Sequence, residues 1–235
     1  MLGIDELFKG RHFDRKIIVL CVRWYLRFKL SFRDLVEMMA ERGVDLAHTT
    51  IMRWLQRYVP EFERRWNRFA RKTGQSWRVD ETYVKIKGRW TYLYRAVDSE
   101  GKTVDFQLRA KRDVAAAKAF FWRAFKTQGG LPRAITLDGY RASHRADREF
   151  LAEHRRSNRT DLRSSKYLND LIEQDHRFVK LRLGPMLGFK RFRNASTTIA
   201  GIELMNRVRK GQFNVDKLRT YNKTTPEIWN AVLAA

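Results

Sequence analysis

Apolar residues recur with a helical period over the first third of the chain. Ile18, Cys21, Val22 and Tyr25 fall at i, i+3, i+4 and i+7, which predicts a helix over residues 14–28. Ser31 is placed to cap a second helix with Phe32, Leu35, Val36 and Met39 on its inner face. Gly43 suits the left-handed residue that closes it. A third helix begins near Thr49 and buries Ile51, Trp54, Leu55 and Tyr58, with Pro60 expected to stop or bend it. Helical character returns in the Arg-rich stretch 61–72.

After Gly74 the period shortens to that of strands. Residues 77–86 and 89–97 are rich in Val, Thr and Tyr and are joined by a Lys87-Gly88 turn. A second turn at Ser99-Glu100-Gly101 leads into 103–108. An Ala-rich helix over 113–126 ends at Gly129-Gly130, residues 134–137 form a short buried strand, and helices are expected over 142–155, 168–181 and 196–210. Meander, helix, strand and helices make an α/β unit, distinct from the all-α start. The expected division is residues 1–75 and 76–211. Residues 212–235 match no clear element; Ile228, Trp229 and Leu233 there are candidates for subunit contacts.

Charge changes the picture. Lys and Arg number 49 against 26 Asp and Glu, a formal net charge of +23. The excess is +7, +8 and +8 over residues 1–76, 77–156 and 157–235, so it is no basic tail on a neutral body. It points to a polyanion bound along the whole molecule, nucleic acid above all. The single cysteine, Cys21, excludes a disulfide framework and a thiolate zinc site. No apolar run approaches the roughly 20 residues of a membrane span, and the first residues lack a secretory core. A cytoplasmic, nucleoid-associated protein is the expectation.

The three N-terminal helices resemble a helix-turn-helix, whose last helix enters the major groove. Its outward face would carry Thr49, Thr50, Arg53, Gln56 and Arg57, side chains suited to phosphates and base edges. A small helical bundle with solvated arginines is the alternative.

In so cationic a chain, acidic residues at special places call for a cause. Asp80 lies mid-strand, where Asp has poor propensity. Asp138 directly follows the strand 134–137, at the carboxyl end where open α/β sheets place ligands. Glu173 lies on a helix with His176, Arg177 and Lys180 at i+3, i+4 and i+7, a basic outward face expected to bind the DNA phosphate backbone beside the carboxylates. Converging carboxylates repel unless divalent cations neutralise them, and hard oxygen donors select Mg²⁺ or Mn²⁺. Two such ions about 4 Å apart stabilise attacking and leaving oxygens in phosphoryl transfer. Bland roles stay open: Asp138 also suits capping the next turn, Glu173 suits pairing with Arg177, and Asp98, Asp105, Asp170 and Asp175 lie nearby. Asp98 before Ser-Glu-Gly fits a turn, and Asp175 lies about 200° around the helix from Glu173.

Several separated blocks resemble the transposases of the insertion-sequence-six family. They are Asp80-Glu81-Thr82-Tyr83, Gly88-Arg89-Trp90, Tyr92 through Asp98, Ser165 through Asn169, and Ile172-Glu173-Gln174-Asp175-His176. Phe8 through Phe13, Arg42-Gly43-Val44 and Arg53-Trp54 match as well, and 34 residues separate Asp138 from Glu173, the spacing typical of that family. The resemblance implies a ribonuclease-H-like catalytic domain, five-stranded with helices on both sides, behind a helix-turn-helix. It implies that Asp80, Asp138 and Glu173 ligate two Mg²⁺ ions, with Mn²⁺ able to substitute, and that Lys180 contacts the transposon end. It further implies recognition of terminal inverted repeats in double-stranded DNA, 3′-end nicking, strand transfer and cointegrates, by a homodimer or larger oligomer. A non-catalytic repressor and a structural RNA-binding protein are the competing classes.

Overall fold

Capping chemistry sets the first helices. The computed structural model describes residues 3–137, 145, 148–149, 160–164, 170–186, 188–218, 220 and 222–235. α1 (Ile4–Phe8), α2 (Arg15–Arg27), α3 (Phe32–Ala40) and α4 (His48–Asn67) come first. Asp14 caps α2 by accepting from the Lys16 backbone N–H, and Ser31 and Asp34 form a reciprocal capping box on α3. α4 continues through Pro60 instead of ending there. Tyr58 and Val59 before it and Phe62 and Trp66 after it are all buried, and that packing outweighs the roughly 3 kcal/mol that an interior proline costs.

β1 (Ser76–Ile86), β2 (Arg89–Asp98) and β3 (Thr103–Arg109) form an antiparallel meander. Lys87 and Gly88, both at positive φ, supply the two left-handed residues of the first hairpin turn. In the second turn the buried Asp98 carboxylate accepts from the backbone N–H groups of Glu100 and Lys102 at 3.0 and 2.9 Å, the turn role expected of it. α5 (Val114–Gln128), capped by Asp113, leads to β4 (Ala134–Leu137), which pairs in parallel with β1. β5 (Asp161–Ser164) pairs in parallel with β4, giving the order β3-β2-β1-β4-β5. Helix α6 (Asp170–Leu183) follows. This mixed five-stranded sheet with flanking helices is the ribonuclease-H-like α/β arrangement. The helix expected over 142–155 falls mostly outside the described residues; Arg145, Arg148 and Glu149 are helical.

Side chains alternate across a sheet, and here the two faces differ in chemistry. Trp77, Val79, Tyr94, Ala96, Ile135 and Leu137 meet Ala117, Phe120, Phe121 and Ala124 of α5 in an apolar core. Burial of each large side chain there contributes about 1.5–3 kcal/mol. Asp80 and Arg95 point to the other face.

Packing divides the chain elsewhere than at 75 and 211. A helical unit holds Met1–Arg71, Leu181–Leu187 and Phe192–Ala235, and a sheet unit holds Lys72–Lys180 and Gly188–Arg191. Thus α7 (Phe192–Arg209) and α8 (Thr225–Ala234) pack with the N-terminal helices. α7 comes so near α2 that a Cβ on Gly201 would lie 2.6 Å from a Leu26 methyl. The end of α8 is fixed by Trp229, which is fully buried with its ring 5.5 Å from that of Phe62 and 5.1 Å from that of Trp66. Trp229 and Leu233 are therefore core residues of their own chain and not the subunit contacts expected of them; Ile228 is half-buried.

Two buried arginines of the helical unit end on helix carboxyl termini. Arg182 donates to the carbonyls of Tyr25 and Leu26, the latter at 3.0 Å, and Arg65 donates to the Leu233 carbonyl while pairing with Glu61 at 2.6 Å. Cys21 is buried in the same core, and burial pushes its thiol pKa up to about 11, as suits a packing residue.

Candidate active site

Asp80 sits on the central strand, paired in register with Arg95 across β1–β2, so both side chains project from the same face. α6 lies against that face. Its His176 brings Nε2 within 3.1 Å of Asp80 Oδ2, and its Asp175 accepts from Arg95 Nη2 at 2.6 Å. Arg95 Nη1 lies 3.5 Å from His176 Nδ1. Arg95 is fully buried, and the side chains of His176 and Asp175 are 6% and 7% exposed, whereas that of Asp80 is 17% exposed. A guanidinium only donates, so a hydrogen bond from Arg95 would require Nδ1 to accept and would leave the ring proton on Nε2, facing Asp80. Asp80 Oδ1 takes no hydrogen bond from any described residue.

Glu173 lies three residues before His176 on α6 and is exposed, as are Arg177 and Lys180. His176, read from sequence as part of that outward basic face, is instead turned inward. Helical geometry explains the split: positions 175 and 176 look to the sheet, 173 and 180 lie within about 60° of 176 at the edge of that face, and 177 turns away from it. The competing carboxylates are held elsewhere. Asp98 is in its turn, Asp175 pairs with Arg95, and buried Asp105 pairs with Arg123 at 3.3 Å. Of the candidate carboxylates whose side chains are described, Asp80 and Glu173 keep oxygens without a partner among the described residues; the Asp170 side chain lies outside them. β4 ends at Leu137, the register partner of Val79, one residue before Asp80. Asp138, next in sequence, lies outside the described residues. Among the described residues no three His, Cys, Asp or Glu side chains form a group that could hold a metal ion. Asp80 and Glu173 nonetheless offer the hard oxygen donors that suit Mg²⁺.

In the helical unit, Arg53 and Arg57 of α4 are exposed, and Thr49 and Thr50 are half-buried at its first turn. Gln56 departs from the expected outward face. It is half-buried, and its amide donates to the Asn194 carbonyl at 3.5 Å, because α7 occupies that side of α4. Arg95 was not singled out from sequence. The available signal was a charged residue inside the apolar run of β2, opposite Asp80.

The family model DDE_Tnp_IS240, described as a DDE domain, matches residues 74–212. The chain is 40% identical over 196 residues to the transposase for insertion sequence-like element IS431mec of Staphylococcus aureus strain Mu50, covering 83% of this chain and 85% of the relative. It is equally similar, over the same shares, to the S. aureus transposase for insertion sequence element IS257 in transposon Tn4003. Among solved structures, the HTLV-2 integrase catalytic core domain in complex with magnesium is 17% identical with a TM-score of 0.39, covering 70% of this chain and 85% of that one. The BIV integrase catalytic core is 16% identical with a TM-score of 0.42, covering 56% and 83%. The matched domain and its carboxylate-bearing sheet define a transposase with a DDE core, a polynucleotidyl transferase. Within that class, the chain belongs to the insertion-sequence-six family.

Proposed function

We propose that this transposase cuts at the 3′ ends of its element and joins the freed 3′-hydroxyls to target DNA, producing cointegrates. Asp80, Asp138 and Glu173 would hold two Mg²⁺ ions, with Mn²⁺ an acceptable substitute. Bound in that way, the ions supply charge neutralisation at the attacking and leaving oxygens of phosphoryl transfer. The observation that carries the assignment is the His176–Asp80 contact, because it brings α6, and with it Glu173, to the face of β1 that bears Asp80. The β1–β4 register supports Asp138 as the third member, since Leu137 is level with the residue before Asp80.

The chain's own residues divide the remaining work. Arg177 and Lys180, exposed beside Glu173, would bind phosphates of the transposon end. Arg53 and Arg57, with Thr49 and Thr50, would read the terminal inverted repeats from a helix-turn-helix formed by α2 to α4. Gln56, engaged with α7, is left out of that set. The active form would be a homodimer or larger assembly on paired ends. No described helix is long and apolar enough to cross a membrane, and the site of action would be the nucleoid in the cytoplasm.

Joining of a precut end duplex to plasmid DNA in Mg²⁺ tests this. Asp80→Asn should bind the end duplex as the wild type does yet join none of it. Full joining by Asp80→Asn would overturn the assignment, and retained repeat-specific binding by a wild type that never joins would favour a repressor.

A further inference from the structure

The charged network behind Asp80 has no part in the carboxylate triad, yet it ends on one of its members. Arg95 and Asp175 form an ion pair of 2.6 Å with almost no exposure. Such a pair is costly to bury and weak evidence for stability by itself. Its second arm gives it a use: Arg95 Nη1 faces His176 Nδ1 at 3.5 Å, and His176 Nε2 faces Asp80 Oδ2 at 3.1 Å. All four residues lie in the sheet unit.

We propose that Arg95, Asp175 and His176 are positioning residues for Asp80. Asp175 fixes the guanidinium of Arg95. Arg95 then presents an N–H to Nδ1 and so holds the imidazole as its Nε2–H tautomer. His176 donates that hydrogen to Oδ2 and leaves Oδ1 uncommitted. The carboxylate is thereby held in one orientation before any ligand arrives, as a preorganised site requires. The proposal rests on the assignment of Asp80 to the metal site, and it adds residues that touch neither metal nor DNA. Sequence makes the linkage natural, because Asp175 and His176 are adjacent on α6 and Arg95 is the cross-strand partner of Asp80.

Full-length protein labelled with ¹⁵N-histidine reads the tautomer without metal or DNA. His176 is assigned from the signals lost in His176→Gln. The expected result is a protonated Nε2 and a bare Nδ1, shifting to a mixture of tautomers in Arg95→Lys, which keeps the charge beside Asp175 but loses the forked donor. A second pair of variants guards against simple misfolding. His176→Gln retains an N–H near the Nε2 position and should join DNA within about tenfold of wild type, whereas His176→Leu should lose about 100-fold with unchanged end-DNA affinity. A protonated Nδ1 in the wild type, or equal rates for the Gln and Leu variants, would overturn the proposal. Asp80→Asn, run alongside, separates the two failures: if it joins at the wild-type rate, the metal assignment falls whatever the tautomer shows.

Discussion

Buried charge serves opposite ends in the two units. In the helical unit, Arg182 and Arg65 finish on backbone carbonyls at the ends of α2 and α8. In the sheet unit, Arg95 finishes on side chains that lead to Asp80. The same residue type thus closes helices in one place and, in the positioning role we propose, orients the Asp80 carboxylate in the other. The difference lies in what the guanidinium touches: a main-chain oxygen has one conformation to protect, whereas an imidazole has a tautomer and a rotamer to be chosen.

Substitutions separate the two uses by what they change. The largest effect is expected at Glu173→Gln, which should lower joining by about 10⁴-fold, or ~5.5 kcal/mol in the barrier, with an unaltered thermal midpoint because Glu173 is exposed. Arg182→Leu should do the reverse. Loss of its charged hydrogen bonds to the end of α2 should cost about 3 kcal/mol in chemical denaturation, with the joining rate per folded molecule retained. Gly201→Ala follows at about 1–3 kcal/mol, since a methyl there must push Leu26 aside.

The smallest effect is one of pH. Glu61 is partly buried, which raises its pKa, but hydrogen bonds and charge from Arg65 and Arg64 outweigh this and hold it below the usual 4.5. A carboxylate depressed on folding stabilises the protein above its unfolded pKa and loses that contribution as pH falls through the folded value. Stability measured by urea melts should therefore decline below about pH 4.5 less steeply in Glu61→Gln than in wild type.

These contrasts also show what the chain made legible. The helices 15–27 and 32–40, the β1–β2 hairpin and the four-residue β4 all announced themselves, because local period, capping residues and a Lys87-Gly88 turn agreed with the fold. β5 did not, since Asp-Leu-Arg-Ser is a polar edge strand defined only by its pairing with β4. α8 was missed for a related reason: its capping box, Thr224 with Glu227, is a short-range signal, but the value of Trp229 lies in Phe62 and Trp66, more than 160 residues away in sequence. At the site, Asp80 and Glu173 stood out as acids in a basic chain. The inward turn of His176 and the role of Arg95 could not, because each depends on the register of β1 with β2 and the face α6 presents.

Sharing of ions by the three carboxylates is the central claim, and iron-directed cleavage tests it directly. Fe²⁺ loaded in place of Mg²⁺, with ascorbate and peroxide, cuts the backbone near its ligands. The expected fragments end near residues 80, 138 and 173 and disappear together when excess Mg²⁺ competes. Cleavage that spares any one of the three positions, or that Mg²⁺ leaves unchanged, would contradict a shared site.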